Sequence, residues 1–301
     1  MNYIGITPQG KEILLAAPAS AKLVRSEDAP ADGFSGVFPL LKNTENLVGL
    51  RIYDRNKALW FDGIVDEQKE SLGAGRTLTL IARSRAALLL DNEALPQTYR
   101  MPSLQTVFQR HIQPYGFQVY LGDNRVFSEE LIISKGMSEW QAAEEFCIRF
   151  LRVKPRMLGN IFDASGRSTQ KSVYFDNDGG IRYSSAVIDY RYYKLYSEVM
   201  VKSGEGNLYA VGARGTEAAA LGIRRRRYLS GGQNAEAVAA AAARKAFQAE
   251  ITCPGEFTAE IGTGAVLHDA QLGTLQELAV SQIAYSLNES GEKSTVTLRR
   301  G

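Results

Sequence analysis

The sequence predicts a mainly β protein with an α+β insertion, in which two strand-rich stretches flank a central α/β unit. Two observations carry this. Apolar residues alternate with a period of two over about residues 1–92, shift to helical spacing over about 93–186, and return to alternation over about 187–301. No segment recurs at the roughly 20–50-residue period of a solenoid or propeller, so a repeat architecture is not expected.

In the first stretch Val48, Leu50 and Ile52 alternate with Gly49, Arg51 and Tyr53, as a half-buried strand requires. Leu59 to Val65 predicts a second strand. Leu78, Leu80 and Ala82, alternating with Thr77, Thr79 and Ile81, predict a third. The turn Ser71-Leu72-Gly73-Ala74-Gly75 joins these last two as a hairpin.

The central stretch opens with Pro102-Ser103, where Ser103 suits a helix N-cap. Leu104, Val107, Phe108, His111 and Ile112 then share one face, and Pro114-Tyr115-Gly116 ends the helix. A second helix starts at a capping box formed by Ser138 and Gln141, each satisfying a free backbone N–H of the other. Trp140, Ala143, Cys147, Phe150 and Leu151 form its apolar stripe. Val173 to Phe175, a turn over Asp176 to Gly180, and Ile181 to Tyr183 predict a hairpin.

In the third stretch Leu195, Val199 and Val201 are assigned to one strand face, and Gly204-Glu205-Gly206-Asn207 turns the chain into Leu208 to Val211. One Ala-rich helix over 234–250 interrupts the strands. Asn234 caps it, Glu236 suits its positive end, and Arg244 and Lys245 suit its negative end. Its alanines at 239–243 permit close packing onto a sheet or a neighbouring subunit. Strands follow at Phe257 to Ile261, Leu278 to Leu287 and Thr295 to Arg299, the last two paired as a hairpin across Asn288 to Lys293.

Composition bounds the function. Of 301 residues 45% are hydrophobic and 23% charged, which excludes a disordered chain that lacks the apolar surface to offset ordering entropy. The formal net charge of +2 indicates no whole-protein attraction to nucleic acid or anionic membrane. With two cysteines, Cys147 and Cys253, neither a disulfide framework nor a Cys-rich zinc site is expected. The first 23 residues lack the basic and apolar regions of a leader, and no apolar run approaches the roughly 20 residues of a membrane helix, so no membrane insertion is expected.

No catalytic constellation emerges. Cys147 lies on an apolar helix face, where a buried thiol is inert, and Cys253 sits beside Pro254 near a strand end. His111 and His268 lie in different stretches, without metal-ligand spacing. Glu129-Glu130 and Glu144-Glu145 are adjacent pairs whose side chains diverge, unlike carboxylates that flank one bond. Gly73-Ala74-Gly75 is a hairpin turn rather than a phosphate loop. No cofactor or metal is expected, and the chain is not read as an enzyme.

The one charge anomaly lies in residues 220–250, where six Lys/Arg face two Asp/Glu. On an extended strand Arg224 and Arg226 point one way, Arg225 and Arg227 the other. The run reads either as a solvated edge strand guarded against aggregation, or, with Arg244, as contact with acidic groups of a neighbouring subunit or a passing polyanion. Tyr190, Tyr192, Tyr193 and Tyr196 form a cluster with two readings: a packing anchor between the α/β unit and the following strands, or the aromatic face of a binding groove.

Three passages carry a resemblance. Asp28-Ala29-Pro30-Ala31-Asp32-Gly33-Phe34 precedes a strand pair that leads into Ala82-Arg83-Ser84 and Leu89-Leu90-Asp91. GMSEWQAAEEFCIRFLRVKPRM follows at 136–157. NAEAVAAAAARKAFQAEITCPG begins at Asn234, and a glycine-bearing loop and closing hairpin run from Ile261 to Gly301. In type and order these resemble the baseplate hub proteins of contractile-tailed bacteriophages, the Mu-like and late-control-D-like group, over nearly the whole chain. Ala82 stands where that group often has Gly.

The resemblance implies two β-barrel tube domains in one chain, at 1–92 and 187–301, flanking an α/β domain at 93–186. It implies a structural part of a tail baseplate: a homotrimeric hub ring that joins the six-fold tail tube to a trimeric spike and lines a channel for DNA and the tape-measure protein. Implied partners are further copies of the chain, the spike protein, the tail tube protein and other baseplate proteins. The location is the virion tail, after assembly in the bacterial host cytoplasm. In that ring Arg224, Arg225, Arg226, Arg227 and Arg244 are candidate subunit-interface residues. The hub of a contractile bacteriocin or injection machine fits the same residues. A stand-alone β-barrel module for oligosaccharide or nucleic acid is the alternative outside this family.

Overall fold

The computed structural model describes residues 1–40, 45–73, 75–166, 169–204, 206–230 and 234–301. The chain divides into two compact units. Unit one comprises Met1–Arg167, Gly255–Phe257 and Ile283–Ser294; unit two comprises Ser168–Pro254, Thr258–Gln282 and Thr295–Gly301.

Unit one contains β1 (Asn2–Ile6), β2 (Glu12–Leu14), β3 (Ser20–Ser26), β4 (Gly33–Pro39), β5 (Gly49–Tyr53), β6 (Leu59–Leu72), β7 (Arg76–Ser84), α1 (Ala87–Asp91), β8 (Gln97–Tyr99), α2 (Leu104–Val107), β9 (Val119–Gly122), β10 (Leu131–Ile133), α3 (Glu139–Phe146), β11 (Arg156–Leu158) and β12 (Ile161–Ala164). Unit two contains β13 (Thr169–Phe175), β14 (Ser185–Tyr190), β15 (Glu198–Lys202), β16 (Tyr209–Arg214), α4 (Thr216–Ala220), β17 (Arg226–Leu229), α5 (Ala235–Ala246), β18 (Phe247–Pro254) and β19 (Thr263–Asp269). The hairpin strands β20 (Gly273–Asn288) and β21 (Gly291–Arg300) each give their inner ends, 283–294, to unit one and the rest to unit two.

The main sheet of unit one has the order β20-β3-β4-β7-β6-β5-β1-β2. From β3 to β2 every neighbouring pair is antiparallel. One face is apolar: Phe34 and Phe38 of β4, Leu78, Leu80 and Ala82 of β7, and Leu50 and Ile52 of β5 are buried together with Trp60 and Tyr285. Period-two alternation therefore holds on β7 as predicted. On β5 it fails at Val48, which is exposed, because Leu47 turns inward instead and packs where a Cβ on Gly5 would stand. A Cβ on Gly63 would lie 2.3 Å from the Arg83 carbonyl oxygen, so this crossing of β6 and β7 requires glycine. The β6–β7 hairpin closes with Leu72 opposite Arg76; Ala74 of its predicted turn lies outside the described residues.

A second core in unit one joins α2 and α3 to the small sheets β8–β10 and β11-β12-β9. Ser103 accepts from Thr106 N–H and caps α2. The helix continues through a π turn over Phe108–Ile112, and Gly116 ends the segment at φ 94°. The predicted face of Leu104, Val107, Phe108, His111 and Ile112 is buried throughout. The Ser138–Gln141 capping box forms in both directions at α3.

In unit two the order is β14-β18-β21-β20, with β19 antiparallel to β20 and β13 parallel to β19. A separate sheet, β16-β15-β17, carries α5 on one face. A Cβ on Gly212 would meet Ala235 Cβ at 2.7 Å, so glycine and alanine together set how closely the helix approaches. Among the described residues the ladders of the main sheets end at β2, β13 and β14 and close into no barrel.

Four local expectations are corrected. The Ala-rich helix expected over 234–250 ends at Ala246, because the chain from Phe247 joins the sheet as β18. The turn over Asp176 to Gly180 forms, but it does not make a hairpin: β13 pairs with β19, and a single bridge joins Phe175 to Ile181. The chain is drawn away there by Tyr183, whose hydroxyl donates to Asp269 Oδ2 at 2.7 Å. Phe257 to Ile261 forms no strand, because the Phe257 N–H donates to Ser294 Oγ instead of to a ladder. Leu195 precedes β15 and is buried beside Ala218 and Ala246, whereas Val199 and Val201 face α5. In the predicted turn at 204–207, Glu205 lies outside the described residues.

Candidate assembly surfaces

The residues that sequence inspection weighed for catalysis are dispersed. Cys147 and Cys253 are both buried and free, and burial pushes both thiols up, Cys253 to about 11. His268 is half-buried, with Nδ1 2.8 Å from Thr274 Oγ1. Glu129 stands 3.8 Å from Arg149, and Glu130 3.9 Å from Arg100. Among the described residues no group of His, Cys, Asp or Glu is placed to hold a metal ion. No described helix is long and apolar enough to cross a membrane.

One buried polar network escaped sequence reasoning. His111 Nδ1 lies 2.5 Å from Glu139 Oε2, His111 Nε2 lies 2.9 Å from the Tyr99 hydroxyl, and Tyr115 donates to Glu139 Oε1 at 3.0 Å. A histidine protonated at Nδ1 donates to Glu139 and accepts from Tyr99, which satisfies every member. The sequence shows His111 on an apolar helix face, but no local spacing announces a carboxylate 28 residues away.

The arginine run is split by the fold. Arg224 and Arg225 precede β17, and Arg226 and Arg227 open it. β17 is an outer strand, paired in parallel with β15 alone. Arg226 donates from Nε to Glu198 Oε2 at 2.6 Å, and that contact raises its already high pKa. Arg225 N–H donates to Ser197 Oγ at 3.1 Å, and its Nη1 donates to the Tyr192 carbonyl at 3.3 Å. All four arginines of the run are exposed. Arg244 is set apart from them on α5, where Nε donates to the Arg300 carbonyl at 3.0 Å.

The tyrosine cluster lies beside Arg225. Tyr196 packs into the core under α5. The others stay open to solvent, at 50% exposure for Tyr190, 48% for Tyr192 and 59% for Tyr193. Tyr190 and Tyr192 stack at 5.9 Å with their planes 16° apart, and Lys194 Nζ sits 5.1 Å from the Tyr193 ring centre. Two motifs that read separately in sequence, the tyrosines and the arginines, form one aromatic and cationic surface.

No protein-family profile matches the chain, and no curated protein matches it in sequence. Solved structures do share the fold. The 43 kDa tail protein of prophage MuSo2 from Shewanella oneidensis superposes with a TM-score of 0.80 at 15% identity, covering 99% of this chain and 98% of that one. The tail protein from Neisseria meningitidis MC58 gives 0.77 at 16% identity, covering 100% and 97%. An E. coli component of the type VI secretion system, described as similar in structure to bacteriophage T4 tail proteins gp27 and gp5, gives 0.57 at 8% identity, covering 94% and 73%. The fold is therefore that of phage tail proteins, and a secretion-system component shares it.

Proposed function

We propose that the chain is a structural subunit of a phage tail baseplate: a homotrimeric hub whose ring joins a six-fold tail tube to a three-fold spike and lines a channel for DNA. The observation that supports this most is the end-to-end likeness to a prophage tail protein, with 99% and 98% of the two chains covered. In this reading the main sheets of the two units serve as two tube-type domains within one chain. Three copies then supply six similar sheets, and a head-to-tail contact closes by rotation. The arginines at 224–227 and Arg244 face protein neighbours in the assembly rather than the channel. The role is one of assembly, not catalysis.

Light scattering over a range of concentration and salt tests it, with and without a trimeric spike from the same tail. A mass near three times 33.1 kDa, with ring-shaped particles bearing a central hole in electron micrographs, is expected. A monomer at every concentration that also ignores the spike overturns the reading. The likeness to the E. coli secretion component favours a second reading, the equivalent hub of a contractile injection machine. The trimeric spike that seeds the ring, phage or secretory, separates the two.

A further inference from the structure

Strand β14 is a free sheet edge among the described residues. Its backbone pairs with β18 on one side and, among the described residues, with no strand on the other. Its six residues contain no Pro, no Lys and no register shift, their one charge, Asp189, is held by Arg191 at 2.6 Å, and Val187 is 57% exposed near its centre. Folded proteins ordinarily blunt such edges with charge, proline or a bulge, because a free row of N–H and C=O groups templates another strand.

The edge runs directly into the aromatic and cationic surface. Tyr190 is the last residue of β14 and stacks on Tyr192. Arg225 is tied to the Tyr192 carbonyl, which fixes the cations beside the rings. Among the described residues Lys194, Arg224 and Arg225 have no carboxylate partner, in contrast to Arg226 with Glu198 and Arg191 with Asp189. Tyrosine and arginine dominate binding hot spots because they combine contact area with directional donors.

We propose that β14 and this surface form a strand-addition site for an extended, carboxylate-bearing segment of a different protein. The segment's backbone continues the sheet at β14. Its acidic side chains meet Lys194, Arg224 and Arg225, and its apolar side chains lie against Val187 and the tyrosines. The free strand edge separates this occupant from a nucleic acid, which has no backbone that complements a ladder. Charge separates it from a second copy of the chain. The other outer strands among the described residues, β2, β8, β9, β10, β11, β13, β16 and β17, offer no free carboxylate, since the only one they carry, Glu12 of β2, is held by Arg51. The inference goes beyond the hub reading and does not require the ring.

The test uses the full chain and a synthetic peptide of alternating glutamate and valine. Controls are a proline-interrupted version, a lysine–valine version and an oligothymidine. Fluorescence anisotropy is expected to rank the glutamate–valine peptide first. Hydrogen exchange is expected to show new protection at residues 185–190 in its presence. Lys194→Glu combined with Arg225→Glu is expected to weaken binding about tenfold or more. Tyr192→Ala, a change at an exposed ring, weakens it less, and both variants keep the parent circular dichroism spectrum. Equal binding of the proline-interrupted peptide, tighter binding of oligothymidine, or unchanged affinity in the double variant overturns the proposal. So does protection of 185–190 that rises with protein concentration alone, which assigns the edge to a second copy.

Discussion

His111 and Glu139 form a buried ion-pair-distance contact, Nδ1 to Oε2 at 2.5 Å, which locks the helix pair at the centre of unit one. The remaining lone pairs and protons are taken up by Tyr99 and Tyr115, so the pair is buried without an orphaned group. Removing one member strands the other in an apolar core. Glu139→Ala leaves buried donors unsatisfied and is expected to cost about 2 kcal/mol, read as a lowered urea midpoint with an unchanged slope. A variant as stable as the parent would show that the network contributes nothing.

Glu256 is the opposite case. Its side chain is 9% exposed, neither carboxylate oxygen is satisfied by a hydrogen bond of normal geometry, and Arg55 Nε lies at 3.6 Å. Burial raises its pKa, opposed by the Met1 ammonium and Arg55, with Asp54 adding to the rise. A carboxyl with a raised pKa binds its proton more tightly when folded than when unfolded. It therefore opposes folding increasingly as pH rises from the ordinary carboxyl range through the raised value. Glu256→Gln is expected to stabilise the protein by about 1 kcal/mol at pH 7, with the gain vanishing near pH 4. A gain that is flat with pH would argue for packing rather than ionisation.

Gly212 sets the seat of α5. A methyl group there would stand 2.1 Å from Val201 Cγ2 as well as against Ala235. Gly212→Ala is expected to lift the helix, detected as faster hydrogen exchange across 235–246 while β6 and β7 stay protected. Unchanged exchange in α5 would mean that the sheet absorbs the methyl group.

The two thiols offer a test of core integrity. Both are buried, and burial raises both pKa values. Native protein at pH 8 is expected to resist a thiol-specific reagent, with both cysteines reacting at once in denaturant. Rapid labelling of Cys147 in native buffer would contradict its placement between α3 and the aromatic core.

Arg225→Glu with Arg227→Glu leaves the melting temperature within about 2 °C, since exposed charges contribute little to folding. The same variant is expected to reduce the mass seen by light scattering if the run faces a protein neighbour. An unchanged mass would remove these arginines from the proposed subunit contact.

Much of the architecture was legible from local chemistry. Ser103, Ser138 with Gln141, and Asn234 each cap the helix that their spacing announces. Leu78, Leu80 and Ala82 face inward as their alternation requires. What was hidden is long-range. Nothing near Val173 shows that its strand pairs with residues about Ala265, nor does the chain around Tyr192 reveal Arg225 as a neighbour. The tyrosines read most simply as packing anchors. Only the fold shows that three of them remain in solvent beside cations without carboxylates.

The β20–β21 hairpin imposes an order on biosynthesis. Arg55 contacts Glu292 across 237 residues, and Tyr285 completes the aromatic core built by Trp60 and its neighbours. A nascent chain therefore displays the apolar face of unit one before residues 283–294 leave the ribosome. Termination after unit two has begun but before Ser294 leaves both units incomplete, so no such truncated chain contains even one finished unit.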